Sequence, residues 1–509
     1  MEKQYGTMVL FLQFYVVAIT AFLAGCVLFF GFSADDAYIV LRYAENLAYR
    51  GEAVFNPGER LCAFTSPLHV LLDAVLFTVT RHVLTVYKIL SLCLVIFSGI
   101  WVLRKCPDAC SRFFIMVTVL LSPCVILWTF GGLETPLLLF LTTAIAILSM
   151  NDKLSSSRLT AICFLSGLAF ITRYDSVVFN GPVLLWAFYK AKNAGKLKLA
   201  GAVVAAAVFP ALWLLISYMY YGNIFPTSFY AKTPSVKPSV LFANIWYVTQ
   251  FFFFTPFIPF LLFFLFTINP SKRTYFIKKA WAICLRYWGI FLGCCFYLLY
   301  SFTMATTHMM FCFRSWVPFL LSFVLLAAVI IFETRELWLC THAIAKKYYA
   351  LCCIIILMQV LHAYYIYTYS LDSFATNGEF RGMGAADMIA INNKKLFLAA
   401  KEIEKDWLRF GNPAERPTVF TFAEGIIPFV LKNADCYGTL IWKKASTRNK
   451  KKAFDYFVLF DLDGQSRNKA YKKIANEGYK KIASYILIEG EKATLDIFSS
   501  TRCRSPFLR

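Results

Sequence analysis

Residues Met8–Phe30 read MVLFLQFYVVAITAFLAGCVLFF, a stretch without a charged side chain. A helix needs about 20 such residues to cross the hydrocarbon core of a bilayer. The run is longer than the apolar core of a signal peptide and has no clear small-residue cleavage site, so it predicts an uncleaved first transmembrane span. Similar apolar blocks recur as far as residue 367, separated by short polar stretches, and this repetition decides the fold.

The composition also indicates a membrane protein. Of the 509 residues, 59% are hydrophobic and only 16% are charged, whereas soluble domains carry about 25% charged residues. The formal net charge of +22 could point to nucleic acid. The basic residues, however, lie between apolar blocks, which is the pattern of cytoplasmic loops in membrane proteins. We therefore expect membrane lipid, and no nucleic acid, as a partner.

The apolar blocks predict a polytopic α-helical membrane protein with about 11 spans and a cytoplasmic N-terminus. This orientation places every basic loop in the cytoplasm, as the positive-inside rule requires. The segment Pro67–Thr80 is short and contains His69 and Asp73, so it is predicted to lie at the membrane surface without crossing. The predicted spans are about 8–30, 83–103, 113–129, 135–150, 159–172, 176–190, 199–220, 246–269, 284–303, 315–332 and 349–367.

The sequence predicts two domains. Residues 1–369 form the transmembrane domain, with a first extracytoplasmic loop at 32–66. The composition becomes mixed after the last span, so 370–509 are predicted to form a soluble α/β domain, which the span count places outside the cytoplasm. A helix is expected at Lys394–Phe410, and strands are expected at Pro417–Phe420, Tyr456–Phe460 and Ser484–Leu487.

The polar residues of the loops collect on the extracytoplasmic face in this arrangement, whereas the cytoplasmic loops carry loose Lys and Arg residues. Ionisable groups at a membrane boundary indicate a functional site. The predicted site residues are Asp35, Asp36, Tyr38, Arg42, Asn56, Glu134, Arg173, Asp175, Lys232, His308 and Arg314.

Asp35 and Asp36 follow the first span directly, and two interpretations of this pair are open. Adjacent carboxylates raise each other's pKa, which suits a general base that takes a proton from a hydroxyl group. Alternatively, Ser33 and Asp35 cap a helix that begins near Ala37.

A phosphate carried by a membrane lipid would need basic side chains at the interface. Arg173, Lys232 and Arg314 are the candidates. The alternative for each is a base that only snorkels to the membrane surface.

The segment Asp35–Leu72 reads DDAYIVLRYAENLAYRGEAVFNPGERLCAFTSPLHVLL. It resembles the first extracytoplasmic loop of GT-C superfamily glycosyltransferases, in particular the bacterial group related to the mycobacterial terminal β-(1→2)-arabinofuranosyltransferase. Shared features are the Asp-Asp pair, the Asn-Pro-Gly-Glu turn and the Thr-Ser-Pro-Leu helix start. Four further segments are similar, in the same order: GGLETPL (Gly131–Leu137), ITRYDSV (Ile171–Val177), YYGNIFPTSFYAKT (Tyr220–Thr233) and AEGIIPFVLKNADCYGTL (Ala423–Leu440).

The resemblance implies a bacterial inner-membrane enzyme that transfers a pentose or hexose, with inversion, from a polyprenyl-phosphate donor. The acceptor would be a cell-envelope glycan, a lipid or a surface protein. One of Asp35 and Asp36 would be the base, and the other would orient the acceptor or hold a divalent cation (Mg, Mn or Ca). Lys232 and Arg173 would face the donor phosphate.

The resemblance has departures, and two other functions stay open. The segment Arg173–Asp175 reads Arg-Tyr-Asp where the family pattern has Arg-Pro-Asp or Arg-Pro-Glu, and the match around Arg314 is loose. The composition, rich in Phe, Lys and Cys, is unlike that of the mycobacterial members and indicates a different organism, so arabinose is not assumed as the sugar. A transporter is one alternative, although the polar residues lie at span ends and no two halves of the chain match. A non-catalytic envelope or appendage assembly factor on the same fold is the other.

Overall fold

The computed structural model describes residues 2–106, 108–227, 229, 238–268, 270–304, 311–337, 342–371, 383–412, 414–421, 424–438, 454–461, 479–486 and 494–500. These residues are mostly helical, with a small sheet towards the C-terminus. Contacts divide the chain into two compact units. The helical unit is Met1–Gly31, Tyr87–Trp213 and Pro234–Ala385, and the mixed unit is Phe32–Val86, Leu214–Thr233 and Ala386–Arg509.

The predicted limits of the transmembrane and soluble domains, 1–369 and 370–509, stay a prediction. Most apolar helices belong to the helical unit. They are α1 (Glu2–Phe29), α4 (Val83–Leu103), α5 (Ala109–Val119), α6 (Pro123–Phe130), α7 (Thr135–Ser149), α8 (Ser156–Thr172), α9 (Ser176–Lys190), α10 (Lys196–Tyr221), α11 (Pro238–Phe254), α12 (Phe257–Thr267), α13 (Pro270–Arg286), α14 (Trp288–Met304), α15 (Val317–Thr334) and α16 (His342–Thr368).

Each predicted span coincides with one of these helices or with two consecutive ones. Within the described residues, three helices are each long and apolar enough to cross a bilayer, namely Val83–Leu103, Lys196–Tyr221 and Val317–Leu337. Three bent pairs of helices, α5 with α6, α11 with α12 and α13 with α14, reach that length together. The number of crossings, about 11, stays a prediction.

Two of three bends are where the structure differs from the expected continuous spans. The first pair bends by 51°, where Pro123 begins α6, and the second bends by 66° at Pro256. Proline lacks the N–H that continues a helix, and its ring clashes with the preceding turn. The third pair bends by 95°. Here the reason is charge, because α13 carries Lys and Arg residues that are unfavourable in hydrocarbon.

Helices α9 and α14 pack closely through two glycines on one face of α14. A Cβ at Gly289 would overlap Trp186, and a Cβ at Gly293 would lie 2.7 Å from the backbone oxygen of Phe179. Small residues four positions apart let membrane helices approach until their backbones touch. This contact joins the helix after the Arg173 loop to the helix before Arg314.

The mixed unit contains a five-stranded sheet. The strands are β1 (Thr418–Thr421), β2 (Asp435–Tyr437), β3 (Tyr456–Asp461), β4 (Tyr479–Ile486) and β5 (Thr494–Ser500), in the order β2-β1-β3-β5-β4. Strands β2, β1 and β3 are parallel, and β5 is antiparallel to both of its neighbours. The helices are α2 (Asp35–Arg50), α3 (Pro67–Val79), α17 (Ala385–Ala390), α18 (Leu396–Phe410) and α19 (Ile426–Val430). The predicted α/β character is confirmed.

We expect Gly293→Ala to destabilise the protein by about 1–3 kcal/mol, because the added methyl group must push α9 and α14 apart. The matched control is Gly181→Ala on α9, where a Cβ would meet no atom within 4 Å. Alanine favours helices over glycine, so this control should melt at or above the wild-type temperature. Thermal unfolding of the purified full-length protein in detergent measures both. Equal melting temperatures for the two variants would contradict the packing described.

Candidate active site

Helix α2 carries the acidic pair in its first turn. The two carboxylates at this end complement the positive end of the helix dipole. The helix buries the continuous segment Ala37–Ala44 and is followed by Gly51, whose φ of 70° is the left-handed conformation that favours glycine. Because consecutive residues of a helix point in different directions, burial of this whole segment means that α2 is enclosed on all sides there.

Asp35 binds the start of another helix. Its carboxylate accepts the backbone N–H of Gly425 and that of Ile426, each at 2.9 Å, where α19 begins. The cap position of α2 is Ala34, which makes no side-chain hydrogen bond. The capping alternative for α2 is therefore wrong, because Asp35 caps α19 instead. Position 425 needs glycine here, since a Cβ would overlap the backbone oxygen of Asp35.

The environment of Asp35 shifts its titration. Burial raises the pKa of the Asp35 carboxyl to about 7, although the two N–H groups of α19 act to lower it. The neighbouring carboxylates of Asp36 and Glu424 raise it further. Glu424 is itself buried. A proton therefore binds to Asp35 more readily than to an ordinary aspartate.

Arg42 binds the other end of α19. It is buried, and its guanidinium donates to backbone oxygens of Pro428, Leu431 (3.3 Å) and Ala434 (2.9 Å). A further bond of 2.7 Å runs from its Nε to the oxygen of Phe55 in the first loop. The predicted site residue Arg42 thus satisfies carbonyl groups at a helix C-terminus, where a cation is favoured.

The Asn-Pro-Gly-Glu turn covers the open edge of the sheet. Asn56 donates to the backbone oxygen of Cys436 and accepts its N–H, both at 2.9 Å, and so replaces a neighbouring strand at β2. Tyr437 donates to Glu59 at 2.6 Å. An edge strand with unpaired backbone groups can pair with another chain and cause aggregation. Asn56 thus ties the first loop to β2, and its predicted role in binding the acceptor or shaping the loop stays a prediction.

Asp36 and Tyr38 occupy different surroundings. Tyr38 is buried, and its ring packs edge-on against Phe397 of α18 and Phe429 of α19 at 6.2 and 5.5 Å. Asp36 is half-buried in the first turn of α2. Within the acidic pair, Asp35 is thus the residue that holds α19.

Four of the predicted residues meet in the helical unit and form an ion network. Arg173 binds Asp175 through Nε (3.0 Å) and Nη2 (2.7 Å), and binds Glu134 through Nη1 (3.0 Å). Arg314 approaches the same Glu134 oxygen at 3.4 Å. Burial lowers the pKa of Arg173, but the two carboxylates raise it well above its usual value. Two cations and two anions make the network electrically balanced.

A strained turn presents Arg314. Cys312 and Phe313 directly precede Arg314. Their backbone φ angles are 49° and 56°, positive values that residues other than glycine rarely adopt. Trp128 donates from its indole N–H to the Cys312 oxygen at 3.1 Å, and the Arg314 guanidinium lies 5.3 Å from the Trp128 ring centre. Backbone strain of this kind persists only where surrounding contacts fix it, often at functional sites.

The structure thus divides the described site residues between α2 with the first loop and the ion network around Glu134. Sequence reasoning missed other residues in both units. Glu59 and Glu424 lie in the mixed unit, where Glu59 binds Tyr437 and Glu424 is near Asp35. Lys88 in α4 is buried in the helical unit and donates to the Phe30 oxygen at 2.9 Å. A lysine inside an apolar block is a signal that could have found it. Lys232 and His308 lie outside the described residues.

A divalent cation stays a prediction. Within the part of the chain that the structure describes, no group of three or more His, Cys, Asp or Glu side chains is arranged to hold a metal ion. Asp35, one of the two residues predicted to hold a cation if one is bound, already accepts a backbone N–H group on each oxygen. The described residues therefore do not fit a protein-only metal site.

We expect Arg42→Met to destabilise the mixed unit by about 3 kcal/mol or more, because buried carbonyl groups lose their donors. The control is Arg50→Met, an exposed arginine at the end of the same helix. Limited proteolysis of the full-length protein should cut the Arg42 variant faster within the mixed unit and leave the control unchanged. Wild-type resistance in Arg42→Met would contradict the assigned role.

Replacing Glu134 with Gln should destabilise the helical unit by about 3–5 kcal/mol, since it removes one of the two anions that balance Arg173 and Arg314. Glu333→Gln is the control, because Glu333 pairs with an exposed arginine, Arg286, at 2.8 Å. Ion pairs that are exposed to solvent contribute little to the free energy of unfolding. The midpoint of thermal unfolding in detergent distinguishes the two. If Glu134→Gln melts like Glu333→Gln, the network does not stabilise the fold.

Comparison with known proteins gives a likeness of structure only. No protein-family model matches the sequence, and no curated protein matches it significantly. Among solved structures, ArnT from Cupriavidus metallidurans bound to undecaprenyl phosphate is similar, with a TM-score of 0.56 and 12% identity over 97% of this chain and 99% of that chain. The apo state of the same protein is similar with a TM-score of 0.55 and 13% identity over 99% of this chain and 100% of that chain. The chain therefore has a fold similar to that of ArnT over nearly its whole length, and the predicted fold class is confirmed.

Proposed function

We propose that this chain is a GT-C type glycosyltransferase that moves a sugar from a polyprenyl-phosphate donor to a cell-envelope acceptor on the extracytoplasmic face. The observation that carries the proposal is the acidic pair in the first turn of α2, within a fold shared with ArnT. One of the ArnT structures contains undecaprenyl phosphate. The sugar is a pentose or hexose, and the acceptor is a glycan, lipid or surface protein.

The two aspartates have different roles in this proposal. A pKa of about 7 is suitable for a general base, and by that criterion alone Asp35 would be chosen. Geometry supports Asp36, because both Asp35 oxygens already accept N–H groups from α19. Asp36 is therefore the base, and Asp35 positions it by holding α2 against α19.

The transfer is a single displacement. Asp36 takes the proton of the acceptor hydroxyl while the hydroxyl oxygen attacks the anomeric carbon of the sugar. The bond between that carbon and the donor phosphate oxygen breaks, and the polyprenyl phosphate leaves with the electron pair. Because attack and departure are on opposite faces, the anomeric configuration inverts.

The departing phosphate gains negative charge, so a cation near it accelerates the reaction. Arg173 has three N–H groups bound to carboxylates. Arg314, which lies 3.4 Å from an oxygen of the same Glu134, is the second candidate for this role. The strained turn at Cys312 and Phe313 fixes the position of its guanidinium.

Asp36→Asn should lower kcat by about 100-fold or more, the contribution typical of a general base. Asp35→Asn should retain measurable turnover but lower the melting temperature, because it weakens the contact with α19. The assay mixes purified full-length protein with polyprenyl-phosphate pentoses and hexoses and an envelope extract, and follows donor consumption. Glu52→Gln, an exposed acid in the same loop, is the control and should leave kcat unchanged.

Two results would contradict the proposal in different ways. Wild-type kcat in Asp36→Asn would remove Asp36 from the role of base. No consumption of any donor by folded wild-type protein would instead favour a transporter or a non-catalytic assembly factor.

A further inference from the structure

Helix α13 is amphipathic and strongly basic. Its sequence, PSKRTYFIKKAWAICLR, contains five basic residues and no acidic one. Ile283 and Cys284 are buried, whereas Ile277, Trp281 and Leu285 are 55–59% exposed. These three apolar residues lie four positions apart and form one flank, and Lys272, Lys279 and Arg286 lie seven apart and form another. Helices with this division lie in the interface between lipid headgroups and acyl chains.

The orientation of α13 agrees with an interfacial position. It makes an angle of 95° with α14, an apolar helix of membrane character. If α14 crosses the bilayer, α13 runs nearly parallel to the membrane plane. Trp281 and Tyr275 are exposed on it, and aromatic residues of this kind are enriched at the membrane–water boundary.

Helix α13 lies at the membrane face opposite the Arg314 network. Arg286, its last residue, pairs with Glu333 at 2.8 Å, near the end of α15. Arg314 comes just before the start of α15, whose 18 residues span about 27 Å at 1.5 Å per residue. That length is close to the thickness of the hydrocarbon core, about 30 Å. The basic helix is therefore well separated from Arg314.

An apolar cavity of about 470 Å³ adjoins the helix. Phe276 of α13 lines it together with Leu261 of α12 and Ile330 of α15, and it extends along α14 to Leu298 and Phe302. The volume is within the range of ligand sites, and the lining side chains are apolar except Thr249 and Thr334. An extended apolar cavity suits an acyl chain.

We propose that α13 and this cavity bind an anionic phospholipid of the leaflet opposite the Arg314 network. Lys272 and Lys279 bind the headgroup phosphate, and the cavity accepts an acyl chain. The charge of the helix and the apolar lining beside it are complementary to the two parts of such a lipid. A zwitterionic lipid would fit the cavity equally well but would gain less from the lysines.

Native mass spectrometry of the full-length protein in detergent tests this site, with phosphatidylglycerol and phosphatidylcholine of identical acyl chains as probes. Wild-type protein should prefer phosphatidylglycerol, and inorganic phosphate should not displace it. Lys272→Gln with Lys279→Gln should weaken phosphatidylglycerol binding about 30-fold, given the usual contribution of each basic residue near an anionic surface. Lys401→Gln with Lys405→Gln, two exposed lysines on α18, is the matched control and should keep the preference.

The cavity has its own test. Ala327 lines it, and Ala327→Phe should weaken binding of both lipids equally, because the larger ring occupies the space of the acyl chain. If the lysine variant does not fold, the salt dependence of the wild type replaces it, and the preference should decrease as salt screens the lysines. Equal affinity of wild-type protein for the two lipids would overturn the proposal. So would an unchanged preference in the folded lysine variant, or displacement of the lipid by phosphate alone.

Discussion

Helix α2 binds both ends of α19 through two side chains of opposite charge. Asp35 accepts N–H groups at the start of α19, and Arg42 donates to carbonyl groups at its end. The two residues lie seven positions apart, about 10 Å along a helix, which is enough to reach the groups on either side of a partner of five residues. Each charge faces the helix end that its sign favours. A helix as short as α19 is not stable alone, so this contact determines whether the segment after β1 folds.

The rest of the mixed unit depends on this contact. Once α19 is fixed, β2 follows within a few residues, and its open edge meets the Asn56 turn of the first loop. The first loop and the C-terminal sheet are therefore parts of one unit although more than 350 residues of chain separate them. The base proposed above, Asp36, is next to Asp35 and inherits its position from the same contact.

The sequence was informative wherever local chemistry decides the structure. Apolar blocks predicted the helices, and residues such as Pro417–Phe420 predicted strands, because burial and propensity act over a few residues. Bends at Pro123 and Pro256 were readable in principle, since proline ends helices by a local mechanism. The partners of Asp35 and Arg42 were not readable, because they are backbone groups of a distant segment. The role of Glu134 was not readable for the same reason, because its two arginine partners come from separate loops.

Part of the most specific motif in the sequence therefore serves assembly. In the stretch that begins with Asp35, four polar side chains, those of Asp35, Arg42, Asn56 and Glu59, bind groups at Gly425–Tyr437. Such a motif is long because it must fit a second segment, and its length alone says little about chemistry. Adjacent residues of a helix point about 100° apart. One aspartate can therefore hold the partner helix while the next is directed elsewhere, and a single step along α2 separates the structural role from the chemical one.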